Sequence, residues 1–233
     1  MYGEAVRAVL KEWAPVTAAM LAGLITAVAV MNLLGDNPAV AVLLCVLAVD
    51  VARTYVLLKV SGKAASPERI VKRICVDLGF MALLGLILLV IPLTGVLAVY
   101  LGLPDAATAV ELLWYYFLVL FIVLAVDLYY MGYLVAVENK SLEEALVESA
   151  RMFRRDKTGT IKKVLAYWAP AMVYFVGNWA TEVARGPVAE VLSWITVIVT
   201  VLVVIPVMEA VYAVSCGRSS LKNKPAQSFT KGA

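Results

Sequence analysis

Apolar residues in this chain come in unbroken runs, not in alternation. The runs lie near Ala14–Leu34, Pro38–Val60, Ile74–Leu101, Leu112–Val137, Val164–Thr181 and Val188–Val214. A hydrocarbon core about 30 Å thick needs about 20 apolar residues in a helix. A barrel strand would instead alternate over about ten residues. Helices satisfy their own backbone groups in lipid, so continuous runs predict helices. The pattern predicts an all-α, polytopic membrane protein: six transmembrane helices in a single domain over residues 1–233.

Composition agrees with lipid as the solvent. Hydrophobic residues make up 63% of the chain and charged residues 16%, with a mean hydropathy of +0.91. Soluble domains carry about 45–50% apolar and about 25% charged residues. The opening Met1-Tyr2-Gly3-Glu4 lacks the basic stretch of a signal peptide, so the first run is expected to stay as a span.

Charge gives an orientation. Every lysine and arginine except Arg53 and Arg185 falls in residues 1–13, 59–73, 138–163 or 215–233. In a six-span chain those segments share one side, and basic loops stay in the cytoplasm. Both termini are therefore expected inside, in the cell membrane. Asp36, Asp105, Glu111, Glu182 and Glu190 fall on the other side. Aromatic residues are expected at the interfaces: Trp114, Tyr115, Tyr116, Trp179 and Trp194 outside, and Trp13, Tyr129, Tyr130, Tyr133 and Trp168 inside.

The largest extramembrane piece is the cytoplasmic loop 138–163, between spans four and five. Ser141-Leu142-Glu143-Glu144 reads as a capping box, in which the serine hydroxyl and Glu144 satisfy exposed backbone N–H groups. Leu142, Ala145, Leu146, Met152 and Phe153 recur at roughly helical spacing. Arg151, Arg154 and Arg155 gather where the helix dipole favours cations. An amphipathic helix is expected there, lying on the inner membrane face or docking a protein partner. A similar short helix is expected within residues 1–13.

Charges inside the spans need an explanation, because each costs at least a few kcal/mol unless paired or hydrated. Asp50, Arg53 and Asp127 fall at a similar depth, with Asp50 and Arg53 on one helical face. Asp77 and Glu209 form a layer nearer the cytoplasm, with Arg73 one turn from Asp77. One reading has Arg53 bridged to Asp50, Asp127 or both, fixing which helices are neighbours. The other treats the surplus acid as a proton or cation site on a path from the cytoplasm.

Other features narrow the function further. The chain contains no histidine, which excludes Ser-His-Asp and Cys-His sites and histidine-ligated zinc within it. Cys45, Cys75 and Cys216 are too scattered for a disulfide framework or a CxxC metal site. No metal, cofactor or catalytic residue is expected, and a net charge of +3 gives no basis for nucleic-acid binding. Ala19, Gly23 and Ala27 form a small-residue ladder that permits close helix approach within the bundle. The strings Leu89-Val90-Ile91-Pro92 and Val203-Val204-Ile205-Pro206 each place a proline after a long apolar stretch.

Residues Glu138-Asn139-Lys140-Ser141-Leu142-Glu143-Glu144-Ala145-Leu146-Val147-Glu148-Ser149 follow the fourth run, and Ile91-Pro92 precedes it. This stretch resembles a group of prokaryotic six-span membrane proteins. The group includes the membrane domain of some glycerophosphoryl diester phosphodiesterases and the YciC-type proteins. The resemblance implies a six-span fold and carries over no catalytic residue. Glu144-Ala145-Leu146 is also similar to the coupling helix of ABC permeases, although Ala150 stands where that motif has glycine. The sequence is read as a non-enzymatic scaffold or accessory subunit that docks a partner through Ser141, Leu142, Glu144, Leu146, Arg151, Phe153, Arg154 and Arg155. A small proton- or cation-coupled transporter is the alternative. Neither a particular partner nor an oligomeric state follows from it.

Overall fold

Prolines and caps set the helix boundaries. The computed structural model describes residues 1–34, 36–101 and 106–223. Helices α1 (Tyr2–Lys11) and α2 (Trp13–Leu33) part at Glu12. Pro15 explains the break: it has no N–H to donate, and its ring crowds the Lys11 carbonyl. Helix α3 (Pro38–Val60) opens on a proline, whose missing N–H costs nothing at a helix start. It closes at Gly62, where φ is +67°. There the Gly62 N–H donates to Lys59 O at 2.9 Å and the Lys63 N–H to Leu58 O at 2.8 Å, the paired bonds of a Schellman motif.

Helix α4 (Pro67–Tyr100) starts from Ser66, whose Oγ accepts the Arg69 N–H at 3.4 Å. Its 34 residues run through Pro92 without a break, and at 1.5 Å per residue they extend about 51 Å. Helix α5 (Ala106–Asp127) is followed by a turn and the short α6 (Met131–Ala136). Beyond α6, Asn139 adopts φ +57° and the Lys140 N–H returns to Leu134 O at 3.1 Å. Helices α7 (Leu142–Arg155) and α8 (Lys157–Trp168) share Asp156 as terminus and cap. A 3-10 turn at Ala169–Ala171 leads to α9 (Met172–Val183), and then come α10 (Pro187–Val199) and α11 (Ile205–Asn223). Between α10 and α11 lies a π-turn, Thr200–Val204. Pro206 leaves the Leu202 carbonyl without its usual donor, and the widened turn surrounds that carbonyl. Among the described residues all regular structure is helical, with no strand.

Among the described residues three stretches are long and apolar enough to cross a membrane: Trp13–Leu33, Val40–Val60 and Pro187–Arg218. Two of the expected spans differ from single helices. Leu112–Val137 is interrupted after Asp127, and Val164–Thr181 is divided among α8, the 3-10 turn and α9. Pro170 accounts for the second interruption. Large apolar side chains stay exposed along α2, α4, α5, α9 and α10, among them Ile25, Leu89, Val96, Tyr116, Phe175 and Ile195. Contiguous apolar exposure on this scale marks contact with lipid or with other proteins.

Burial is concentrated at one end of the helices. One cluster joins Leu57, Leu58, Val76, Leu134, Val135, Ala145, Met152, Met208 and four tyrosines. A second joins Ala5, Val9, Val16, Met20, Ala52, Val56, Ala210 and Val211. These residues sit beside the basic loops in sequence, so the packed core lies at the lysine- and arginine-rich end. The small-residue ladder of α2 is used within the chain. A Cβ at Gly23 would stand 2.9 Å from Ala52 Cβ and 3.3 Å from Ala48 O, so glycine sets how closely α2 meets α3.

Both bonds of the expected capping box form. Ser141 Oγ accepts the Glu144 N–H at 3.2 Å, and the Glu144 carboxylate accepts the Ser141 N–H at 3.1 Å. That backbone bond, reinforced by the serine hydroxyl, holds the Glu144 carboxyl below its ordinary value of 4.5. A depressed folded value gives stability that is present above the ordinary value and is lost as pH falls through the folded one. Amide exchange in the first turn of α7, divided by its intrinsic rate at each pH, should therefore quicken as pH falls below 4.5. Ser141→Ala should quicken it at neutral pH too, by a loss of about 1 kcal/mol. Unaltered exchange in both experiments would remove the cap from the account.

Candidate functional site

Asp50 and Arg53 lie on one face of α3 because three residues is close to one helical turn. Asp50 is 5% exposed and Glu209 of α11 is 1% exposed. Arg53 reaches both. Its Nη1 donates to Asp50 Oδ1 at 3.0 Å, and Nε and Nη2 donate to Glu209 Oε1 at 3.0 and 2.9 Å. Nη2 also donates to the Tyr167 hydroxyl at 3.1 Å. One guanidinium thus ties α3, α8 and α11 together, and its planar fork suits several acceptors at once.

Arg73 forms a second centre on α4. Its Nε donates to Asp77 Oδ2 at 2.9 Å, and its guanidinium lies over the Tyr212 ring, 5.3 Å from the centroid. Nη1 is buried and has no hydrogen-bond partner among the described residues. Gly132 of α6 makes room for this arginine: a Cβ there would stand 2.0 Å from Nη1 and 2.5 Å from Cζ. Cation–π attraction to Tyr212 stabilises the charge where hydrogen bonds do not.

Tyrosines join the two centres. Tyr212 OH donates to Tyr129 O at 2.6 Å and accepts the Tyr133 N–H at 2.9 Å. The Tyr212 ring lies 5.0 Å from that of Tyr129 and 5.5 Å from that of Tyr167. Tyr130 OH pairs with Thr160 Oγ1 at 3.0 Å and accepts from Lys163 Nζ at 3.0 Å. Edge-to-face rings of this kind add attraction beyond their buried area. These bonds also close the turn after Asp127, so the break between α5 and α6 is built into the packing.

The arrangement corrects several expectations. Glu209 is a direct partner of Arg53 and not a member of a separate layer. A helix rises only about 1.5 Å per residue, so a neighbouring layer stays within an arginine's reach. Asp77 pairs with Arg73 as its spacing implied. Tyr130 and Tyr133, expected at the interface, are core residues, and Tyr129 is part-buried among them. Tyr167 and Tyr212 were not singled out from the sequence; Tyr212 stands three residues after Glu209, a spacing that could have flagged it. Asp105, the side chains of Glu111 and Asp127, and the tail beyond Asn223 lie outside what the structure describes.

Helix α7 forms the other candidate surface. Ala145, Ser149 and Met152 are its buried face, packed toward α6. This corrects the expected apolar stripe: Leu142 and Leu146 remain exposed, and Phe153 is half-buried. The small side chains Ala145 and Ser149 allow the close approach, so the bulkier leucines are left beside the contact. An open groove runs along the helix, lined by Lys140, Glu143, Glu144, Val147, Glu148 and Arg151. Arg154 and Arg155 are exposed at its C-terminal end. Lys140 pairs with Glu148 and, at 3.5 Å, with Glu138. Burial works most strongly against the Lys140 charge, but the hydrogen bonds and negative charges of Glu148 and Glu138 together outweigh it and raise the pKa.

Comparison with known proteins adds no constraint: no family model, curated protein or solved structure matches this chain.

Proposed function

We propose that the chain is a six-crossing protein of the cell membrane, with both termini in the cytoplasm. It works without catalysis, as a scaffold or accessory subunit that docks a protein partner at its cytoplasmic face. The distribution of lysine and arginine supports the orientation. The likeness of residues 138–149 to the six-span group supports the crossing number.

One observation carries the docking role. Helix α7 is capped at both ends and anchored through Ala145, Ser149 and Met152, yet Leu142, Leu146, Val147 and Arg151 remain outward. A groove charged with both signs suits an aqueous protein surface better than hydrocarbon. The complementary partner presents an apolar ridge between charges of either sign. Held by packing, α7 would engage such a ridge with little ordering cost.

The test is purification from native membranes in mild detergent, comparing the wild type with Leu146→Glu/Arg151→Glu. The wild type should retain a stoichiometric companion that the variant loses at an unchanged melting temperature. Equal retention by both proteins, or a wild type that purifies alone, would defeat the reading. A transport role has one observation in its favour: Asp50, Asp77 and Glu209 supply three carboxylates around only two guanidinium groups. Solute uptake that depends on pH in vesicles of the purified chain would favour it.

A further inference from the structure

We infer that helix α1 is a lipid-binding element, its outer stripe seated at the headgroup–acyl boundary of an anionic leaflet. Ala5 and Val9 bury one edge of the helix in the cluster shared with α11. Next to that edge, Tyr2, Val6, Leu10 and Trp13 are exposed by 41%, 41%, 63% and 54%. The spacing of four places Tyr2, Val6 and Leu10 on one stripe of α1, and Trp13 follows as the first residue of α2, just past the break at Glu12. Arg7 and Lys11 are exposed on the adjoining polar side, whereas Glu4 is paired with Arg218. The Tyr2 hydroxyl donates to Ala166 O at 2.6 Å, fastening the start of α1 to α8.

Continuity identifies what covers the stripe. From Trp13 the exposed surface passes to Ala14, Ala18, Leu21, Ile25 and Val28 of α2, a helix long and apolar enough to cross a membrane. A bilayer that surrounds α2 covers both segments in one surface. Trp13, where α1 passes into α2, suits the headgroup level, at which an apolar ring meets a polar tip. The flanking cations complement anionic headgroups. This claim does not rest on docking at α7, and its test uses residues remote from that helix.

The full chain carrying Cys75→Ser and Leu10→Cys, labelled with an environment-sensitive fluorophore, is reconstituted into phosphatidylcholine–phosphatidylglycerol vesicles. Emission should shift to the blue and lose intensity to a nitroxide on a lipid chain near the headgroup, but not to aqueous iodide. Val6→Cys should behave alike, while Lys11→Cys should be reached by iodide. Quenching should be stronger when phosphatidylglycerol carries the nitroxide, and Arg7→Gln/Lys11→Gln should lose that difference. Iodide quenching at both 6 and 10 overturns the inference. So does protection from both quenchers, which means a protein cover, or equal quenching by the two lipids in the wild type.

Discussion

Arg53→Met is expected to lower the melting temperature in detergent by on the order of 10 °C, a loss of about 3–5 kcal/mol. Methionine fills much of the same space, so the loss comes from charge and not from a cavity. Glu209 would remain 1% exposed without its cation, and Asp50 and the Tyr167 hydroxyl would each lose a partner. A buried pair is a weak net stabiliser when whole, because desolvation offsets attraction, but it is costly when halved. Glu209→Gln in the same chain should therefore restore part of the stability. The quantity to measure is the coupling between the two substitutions, and strictly additive losses would show that Arg53 and Glu209 do not act as a pair.

Gly132→Ala should produce the second large effect from a single added methyl group. The new Cβ would stand 2.0 Å from Arg73 Nη1 and 2.5 Å from Cζ. A flexible side chain at a surface would move aside cheaply. Arg73 is held by Asp77 and lies over Tyr212, so displacement breaks the ion pair and the ring contact together. Overpacking of this kind costs about 1–3 kcal/mol, and the lost pair adds to it. Combining it with Arg73→Met tests the assignment: the added methyl should be far less damaging once the guanidinium is gone. A Gly132→Ala protein with wild-type thermal stability would place the arginine elsewhere.

Much of this was legible in the sequence because it depends on local spacing. The capping box at Ser141–Glu144, the Arg73–Asp77 pair one turn apart and the close face at Gly23 are set by helical periodicity alone. Four carboxylates and two arginines stood out because lipid makes charge costly wherever it occurs. Pairing between distant helices was less legible. Nothing local to Glu209 names Arg53, which lies more than a hundred residues away, and a shared depth only bounds the choice. The tyrosines misled for a definite reason. Tyr130 and Tyr133 have the apolar ring and polar tip of an interface residue, yet in the core the Tyr130 hydroxyl bonds Thr160 and Lys163 and the Tyr133 ring packs edge-on against Tyr212. Leu142 and Leu146 failed differently: α7 meets α6 through its smallest side chains, so hydrophobicity alone pointed to the wrong face.

Side of the membrane is the claim on which the docking surface depends. Val147→Cys in a Cys75→Ser chain, expressed in cells, can be probed with a membrane-impermeant maleimide. Val147 is 52% exposed beside the groove, so reagent on its side of the membrane reaches it. A cytoplasmic α7 predicts labelling only after the cells are permeabilised. Labelling of intact cells would put α7 outside and contradict it.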